Sequence, residues 1–127
     1  MLDAGALIAL DRDVRPVWAL LRVAVDRKDT VLVPSGVIGQ AWRNGARQAR
    51  LARALKHCEE LTLDGAAARA AGLLCGRAGT VDVIDASVAV AAATAARRAP
   101  ASILTSDPGD MERLTAFVDG IVRIVEV

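Results

Sequence analysis

Short apolar runs alternate with longer helical patterns along the whole chain, and this alternation limits the possible folds more than any other feature. Residues 30–33 are one such short run, in which three of the four residues are β-branched. Strands that alternate with helices pair as a mainly parallel sheet covered on both faces. We therefore predict an α/β fold with a mainly parallel five-stranded sheet. The 127 residues fit one domain that spans residues 1–127.

The element boundaries follow from the apolar pattern together with capping and turn residues. The predicted strands cover residues 1–3, 30–33, 60–63, 102–105 and 121–127. The predicted helices cover residues 4–10, 14–28, 35–43, 46–56, 64–74 and 82–98, with a short last helix from residue 108. Ser35 and Asp64 are predicted helix caps, and Pro108 suits the first position of a helix.

The composition describes the expected core and compartment. Apolar residues make up 54% of the chain, but the aromatic ones are only Trp18, Trp42 and Phe117. Alanine, valine and leucine must therefore fill the core, with Trp42 as a predicted core anchor. Cys58 and Cys75 have no metal-ligand or redox spacing, which indicates free thiols. No apolar run approaches about 18 residues and no signal peptide is visible, so we expect a cytoplasmic protein without a membrane span.

Aspartates follow three of the predicted strands or open the helices behind them. Asp3 ends the first strand, Asp82 and Asp85 open the long alanine-rich helix, and Asp107 and Asp110 follow the fourth strand. Ligands of open parallel sheets bind at the carboxyl ends of the strands. Carboxylates gathered there would form a cage for a hard divalent cation.

Helix capping is the alternative explanation for these aspartates. In each pair the first Asp can accept backbone N–H groups, and the second can complement the helix dipole. Both explanations are compatible, because one Asp of a pair can cap while the other faces a metal. Mg²⁺ or Mn²⁺ bound by such oxygens would suit phosphodiester hydrolysis.

The charge balance supports a polyanionic substrate. The net charge is +1, from 16 basic and 15 acidic residues. If the five aspartates cluster, 10 acids remain against 16 bases, and the rest of the surface is about +6. A negative pocket in a positive surround suits a polyanion that is cut at a metal.

The segments around these residues resemble, in order and spacing, the PIN-domain family of ribonucleases, and within it the VapC-type toxins of bacterial VapBC toxin–antitoxin pairs. The resemblance lies in residues 2–10, 33–43, 82–89 and 104–108, and so spans essentially the whole chain. It implies a three-layer α/β/α fold and Mg²⁺- or Mn²⁺-dependent endonucleolytic cleavage of RNA. It also implies a homodimer and a cognate VapB-type antitoxin that blocks the site.

The resemblance also assigns roles to individual residues. It places Asp3, Asp85 and Asp107 as the catalytic metal ligands, with Asp82 and Asp110 in support. The family's second acid is usually Glu, and the matching residue here is Gln40. The amide removes one negative charge, so metal affinity should fall unless Asp82 or Asp110 compensates, or nuclease activity should be weak or absent.

Two further groups of residues carry open interpretations. Arg43, Arg47, Arg50, Arg53 and Lys56 would give a basic face if they lay on one helix. This face is either simply solvated or contacts RNA phosphates or acidic residues of an antitoxin, with Arg43, Arg47 and Arg50 as the main candidates. The hydroxyls of Thr105 and Ser106 would orient a carboxylate or water, or would form local turn bonds.

Two other functional classes compete with the nuclease. The first is a binding module with the same fold and no activity, which Gln40 favours. The second is a phosphoacceptor receiver domain, which shares the alternating plan. A receiver domain normally needs paired acids after its first strand and a late lysine, whereas Asp3 stands alone and no lysine follows Lys56. Metal-dependent turnover would separate the nuclease from the binding module.

Overall fold

The computed structural model describes residues 1–127 and has an α/β fold with seven α-helices and four short strands. The helices are α1 Ala4–Asp11, α2 Arg15–Asp26, α3 Ser35–Ala41, α4 Ala49–Leu55, α5 Gly65–Ala78, α6 Val83–Ala96 and α7 Pro108–Thr115. The strands are β1 Leu32–Pro34, β2 Glu59–Leu61, β3 Ala101–Thr105 and β4 Val122–Glu126. A short 3-10 helix, Gly45–Arg47, precedes α4.

The strands form two parallel pairs, and the N-terminal residues lie between them. β1 pairs with β2 and β3 pairs with β4. The Leu2 N–H donates to the Leu32 carbonyl at 3.0 Å. On the other side, the Leu104 N–H donates to the Met1 carbonyl at 2.9 Å, and the Asp3 N–H donates to the Leu104 carbonyl at 3.2 Å. Hydrogen bonds from residues 1–3 therefore connect β1 to β3.

The prediction of one five-stranded sheet is wrong in its details. The structure has two sheets of two strands, and residues 1–3 form a single parallel bridge, Leu2 to Leu104, instead of a strand. The physical reason is length. Asp3 already caps α1, so only about two residues remain extended beside β3. The parallel orientation and the alternation with helices are as predicted.

Helix α6 is the central element of the core. Ala86, Ala89, Ala92 and Val88 are buried, and α6 packs against α3, α5, α7 and the strands β1 and β3. Small side chains allow this close approach from several directions. The largest fully buried side chains elsewhere are Leu7, Leu10, Leu51, Ile103 and Met111. The core is thus built from alanine, valine and leucine, as the composition predicted.

Several predicted helix caps and boundaries agree with the structure, and others need correction. Helix α3 ends at Ala41 instead of residue 43, and α4 begins at Ala49 instead of residue 46. Asp64 caps α5 through the N–H groups of Ala66 and Ala67, and Pro108 is the first residue of α7. Ser35 does not cap α3, because it is already the first helical residue, and its Oγ accepts from the Leu63 N–H instead. Helix α5 continues past residue 74 to Ala78, where Gly79 ends it in the left-handed conformation.

Trp42 is not the predicted core anchor. It follows α3 with an extended backbone and is 40% exposed. Its ring lies against Gly45, and it lines a shallow surface groove of about 590 Å³ together with Ile38, Ala52 and Leu55. Trp42 leaves the core because α3 ends at Ala41, one residue before it.

The two cysteines are free, as predicted, and both are half-buried. Burial is the main reason that the pKa of Cys58 rises to about 11. No single helix is long and apolar enough to cross a membrane. Helices α5 and α6 meet the length and composition criteria only as a pair, which is bent by 106°.

Candidate active site

Asp3 lies at the end of the N-terminal extended segment and begins the site. Its Oδ1 accepts the Ala6 N–H at 2.7 Å, so Asp3 caps α1. The residue is only 5% exposed, and burial raises the pKa of the Asp3 carboxyl. Hydrogen bonds from the Thr105 hydroxyl and from nearby backbone N–H groups oppose that rise by stabilising the charged form. Asp3 is thus a buried carboxylate held by a cap and by a strand-end hydroxyl.

Thr105 connects two of the predicted ligands. It ends β3, is completely buried, and its hydroxyl is near enough to the Asp3 carboxyl to lower the pKa of that group. Its Oγ1 accepts the Asp107 N–H at 2.9 Å. Thr105 thus forms the local turn bond that was one of its two interpretations. Orientation of a carboxylate by Thr105 stays a prediction.

Asp82 and Asp85 divide the two roles that the sequence assigned to the pair. The Oδ1 of Asp82 accepts the N–H groups of Ile84 and Asp85, both at 3.0 Å, so Asp82 caps α6. Asp85 lies in the first turn of α6, is half-buried, and its carboxylate accepts no hydrogen bond. The capping residue shapes the helix start, and the next acid is left free for a ligand.

Asp107 and Asp110 divide their roles differently. The Oδ1 of Asp107 accepts the Asp110 N–H at 3.1 Å, so Asp107 caps α7. Asp110 lies in the first turn of α7, and its Oδ1 accepts from the Arg113 guanidinium. Arg113 was not singled out from the sequence. Its spacing from Asp110 could have indicated the ion pair, because residues three apart on a helix are neighbours on its surface.

The charges of the other four predicted aspartates all affect the pKa of Asp85. Burial raises the pKa of Asp85 to about 6, with further increases from the charges of Asp82, Asp3, Asp110 and Asp107, in that order. Every charge that shifts this pKa is negative. The fold thus gathers aspartates from three distant parts of the chain around one carboxylate that has no hydrogen bond.

Gln40 lies on a helix that packs against both α1 and α6. In α3, a Cβ added at Gly36 would meet Cδ1 of Ile84 at 2.5 Å, so Gly36 faces the first turn of α6. Gln40 follows four residues later, on the same face of α3. Its half-buried side chain makes no hydrogen bond. The structure therefore places Gln40 on the side of α3 that packs against α6 near Ile84, without a hydrogen-bond partner of its own.

The residues of the basic run do not lie on one helix, so they do not form one helical face. Arg43 lies in the loop after α3 and donates to the carbonyls of Gly39 and Trp42, at 2.7 and 3.2 Å. Arg50 pairs with Asp13 at 3.5 Å. The chain breaks between these residues because α3 ends at Ala41 and α4 begins only at Ala49.

The other members of the run also differ from one another. The Arg53 guanidinium stacks over the Trp18 ring, 4.7 Å from its centroid. Arg47 lies in the 3-10 helix and is exposed, and its side chain makes no hydrogen bond or ion pair. Of the three proposed contact residues, Arg47 is therefore the one whose charge is fully available to a partner.

Gln48 is a structural residue that the sequence analysis missed. It is 7% exposed, and its Oε1 accepts the N–H groups of Arg43 and Asn44, each at 2.8 Å. Its Nε2 donates to the Ala41 carbonyl and to the Asp11 carboxylate, each at 3.0 Å. A glutamine inside an arginine-rich run gave no sign of this role, since one partner, Asp11, lies 37 residues away and the others lie around the end of α3.

The donor set of the aspartate cluster fits a hard divalent cation. All the donors are carboxylate oxygens, which Mg²⁺ and Mn²⁺ prefer. Asp3 and Asp107 each cap a helix through Oδ1 alone, and Asp85 has no hydrogen bond at either oxygen. In this conformation, no three His, Cys, Asp or Glu side chains are close enough together to hold one ion.

Comparisons with family models, curated proteins and solved structures gave no match.

Proposed function

We propose that the protein is a metal-dependent endoribonuclease of the PIN-domain type, acting in the cytoplasm as the VapC-like toxin of a toxin–antitoxin pair. The proposal rests on one observation above all. The carboxylate of Asp85 accepts no hydrogen bond, and its pKa is raised by burial and by the charges of four other aspartates from three regions of the chain. Such a concentration of negative charge is unfavourable by itself and is relieved by a cation.

In this proposal, Asp3, Asp85 and Asp107 hold Mg²⁺ or Mn²⁺. When bound, the metal would activate water and stabilise the oxygen that leaves the phosphodiester. Thr105 positions Asp3 and fixes the backbone of Asp107 through its hydroxyl. The caps made by Asp82 and Asp107 hold the first turns of α6 and α7, which carry Asp85 and Asp110. These caps fix the backbone beside the proposed ligands, whose side chains would still have to converge on the metal.

The alternative is a weak or inactive binding module with the same fold. Gln40 favours this alternative, because it supplies an amide where the family has Glu, on the face of α3 that packs near Ile84 of α6. An amide oxygen can still bind a metal, but it contributes no charge. We favour the active enzyme, since five aspartates remain.

The proposed partners follow from the same resemblance and from the exposed charges. A VapB-type antitoxin would block the site, and the toxin would act as a homodimer. Arg47 is the best candidate for a contact with RNA or antitoxin, since its charge is not paired within the chain. Arg43 and Arg50 can contribute only after leaving their partners in this structure.

The first experiment is cleavage of total cellular RNA by the purified protein, free of antitoxin. It is run with Mg²⁺, with Mn²⁺ and with chelator. The variant is Asp85→Ala, and the matched control is Asp26→Asn, an exposed acid at the end of α2. Discrete products that need metal, disappear in Asp85→Ala and persist in the control would establish the nuclease. Absence of cleavage with both metals would favour the binding module.

A further inference from the structure

Arg113 is the only basic side chain that forms an ion pair with any of the five aspartates. The other ion pairs join Arg27 to Asp29 and Arg50 to Asp13. Arg113 bonds to Asp110, and Asp110 is one of the four acids whose charge acts on Asp85. The guanidinium therefore lies at the edge of the aspartate cluster, one side chain away from the proposed metal ligand.

The pair between Arg113 and Asp110 is weak enough to exchange. The two side chains are 53% and 46% exposed, and they are three residues apart on α7. Exposed pairs of this kind contribute little to stability, because water and salt screen them. Arg113 makes no other side-chain hydrogen bond. A second anion at this edge could therefore replace Asp110 as the partner of the Arg113 guanidinium without disturbing the fold.

A polyanion that approaches five carboxylates needs a cation close to them. Arg43, Arg50 and Arg53 are occupied with carbonyls, with Asp13 and with Trp18. Arginine binds phosphate through two parallel N–H donors. A carboxylate such as that of Asp110 can occupy the same donors when no phosphate is bound. Resting on the nuclease proposed above, we propose that Arg113 is a substrate-binding residue that contacts an RNA phosphate beside the cleaved bond, and that Asp110 holds it until RNA arrives.

The test measures binding and needs no catalysis. A fluorescent, non-cleavable 2′-O-methyl RNA oligonucleotide is titrated in chelator at several salt concentrations. The variants are Arg113→Gln and Arg113→Lys. The matched control is Arg97→Gln, which removes the same charge at the other end of α6, about 18 Å along the helix axis from Asp85. Thermal melts of all the variants confirm that they are folded.

We expect Arg113→Gln to weaken binding about 3- to 10-fold and to reduce the slope of log affinity against log salt by about 0.7, the value for one lost contact with a single strand. Arg113→Lys should keep most of the slope because it keeps the charge. Asp110→Asn should strengthen RNA binding in the parent protein, because it releases the Arg113 guanidinium. The same substitution should have a smaller effect in the Arg113→Gln variant, which has no guanidinium to release.

The outcomes separate this inference from the nuclease proposal. Equal affinity and equal slope for Arg113→Gln and Arg97→Gln would overturn the role of Arg113, and so would a parent protein that does not bind the oligonucleotide. Binding that depends on Arg113, without cleavage under any metal, would overturn the nuclease and leave the RNA contact in place.

Discussion

The backbone of Gly5 lies directly against the side chain of Ser106. A Cβ added at Gly5 would lie 2.6 Å from the Ser106 Cβ and closer still to its Oγ. Gly5 is in the first turn of α1, and Ser106 follows β3, so this contact brings the two segments that carry Asp3 and Asp107 together. Only a residue without a side chain allows that approach.

Gly5→Ala should therefore damage both stability and the site. Overpacking of this kind typically costs about 1–3 kcal/mol. We expect chemical denaturation to show that loss in the free energy of unfolding, and calorimetry to show weaker Mn²⁺ binding by the folded variant. Gly72→Ala is the control, because nothing lies within 4 Å of its added Cβ in α5. It should stabilise by about 0.4–1 kcal/mol. Recovery of Mn²⁺ binding in Gly5→Ala/Ser106→Gly would identify the Ser106 contact as the cause.

The raised pKa of Asp85 predicts an unusual pH dependence of stability. A carboxyl with a pKa of about 6 in the folded protein and about 3.9 in the unfolded chain binds protons more tightly when folded. Without metal, stability should therefore fall as the pH rises from about 4 to 6. Asp85→Asn should reduce this slope, to which the raised pKa of Asp3 also contributes. It should raise the stability of the metal-free protein at pH 7 by about 1–2 kcal/mol, after allowance for partial exposure.

Urea denaturation in chelator at pH values from 4 to 8 measures this effect. Asp26→Asn serves as the control, since it removes an exposed acid at the end of α2. An unchanged slope in Asp85→Asn would show that the pKa of Asp85 is not raised in the folded protein.

Gln40→Glu should strengthen metal binding. The added charge lies on the face of α3 directed towards α6, and we expect Mn²⁺ affinity to rise about 10-fold, or about 1.4 kcal/mol. The control is Thr94→Glu, which adds the same charge near the far end of α6. Calorimetric titration with Mn²⁺ compares both variants with the parent. No gain for Gln40→Glu over the control would remove Gln40 from the site.

Gln48→Ala should be one of the more destabilising single substitutions outside the apolar core. It removes four hydrogen bonds and leaves the Ala41 carbonyl and the Arg43 and Asn44 N–H groups without their partner. We expect a loss of about 2–4 kcal/mol in the free energy of unfolding. Gln40→Ala is the matched control because the Gln40 side chain has no hydrogen bond. Equal losses in the two variants would contradict the structural role of Gln48.

Arg47 and Arg43 should respond to substitution in different measurements. Arg47→Glu should weaken binding of the RNA oligonucleotide or of the antitoxin, because Arg47 is exposed and has no partner in the chain. Arg43→Gln should instead lower stability, since it removes bonds to the Gly39 and Trp42 carbonyls. If charge reversal of both Arg47 and Arg50 left RNA cleavage and antitoxin affinity unchanged, this basic segment would be a solvated surface.

Much of the local structure could be predicted from residue types. Asp64 and Asp82 cap helices through their own backbone neighbours, and Pro108 begins a helix, because these effects act within three or four residues. Boundaries set by packing could not be predicted in this way. Trp42 is exposed because α3 ends one residue earlier, at Ala41. The Ala41 carbonyl accepts a hydrogen bond from the side chain of Gln48, seven residues later.

The sequence by itself determined the α/β alternation, the helix caps and the identity of the five aspartates, because these depend on local periodicity and on the chemistry of single residues. Only the tertiary structure decided that the Asp85 carboxylate accepts no hydrogen bond while the charges of four other aspartates raise its pKa. It also decided that Arg113 pairs with Asp110 and that the arginines of the basic run have different partners. Burial and charge interactions join residues far apart in the chain, and they depend on where the backbone brings those residues together.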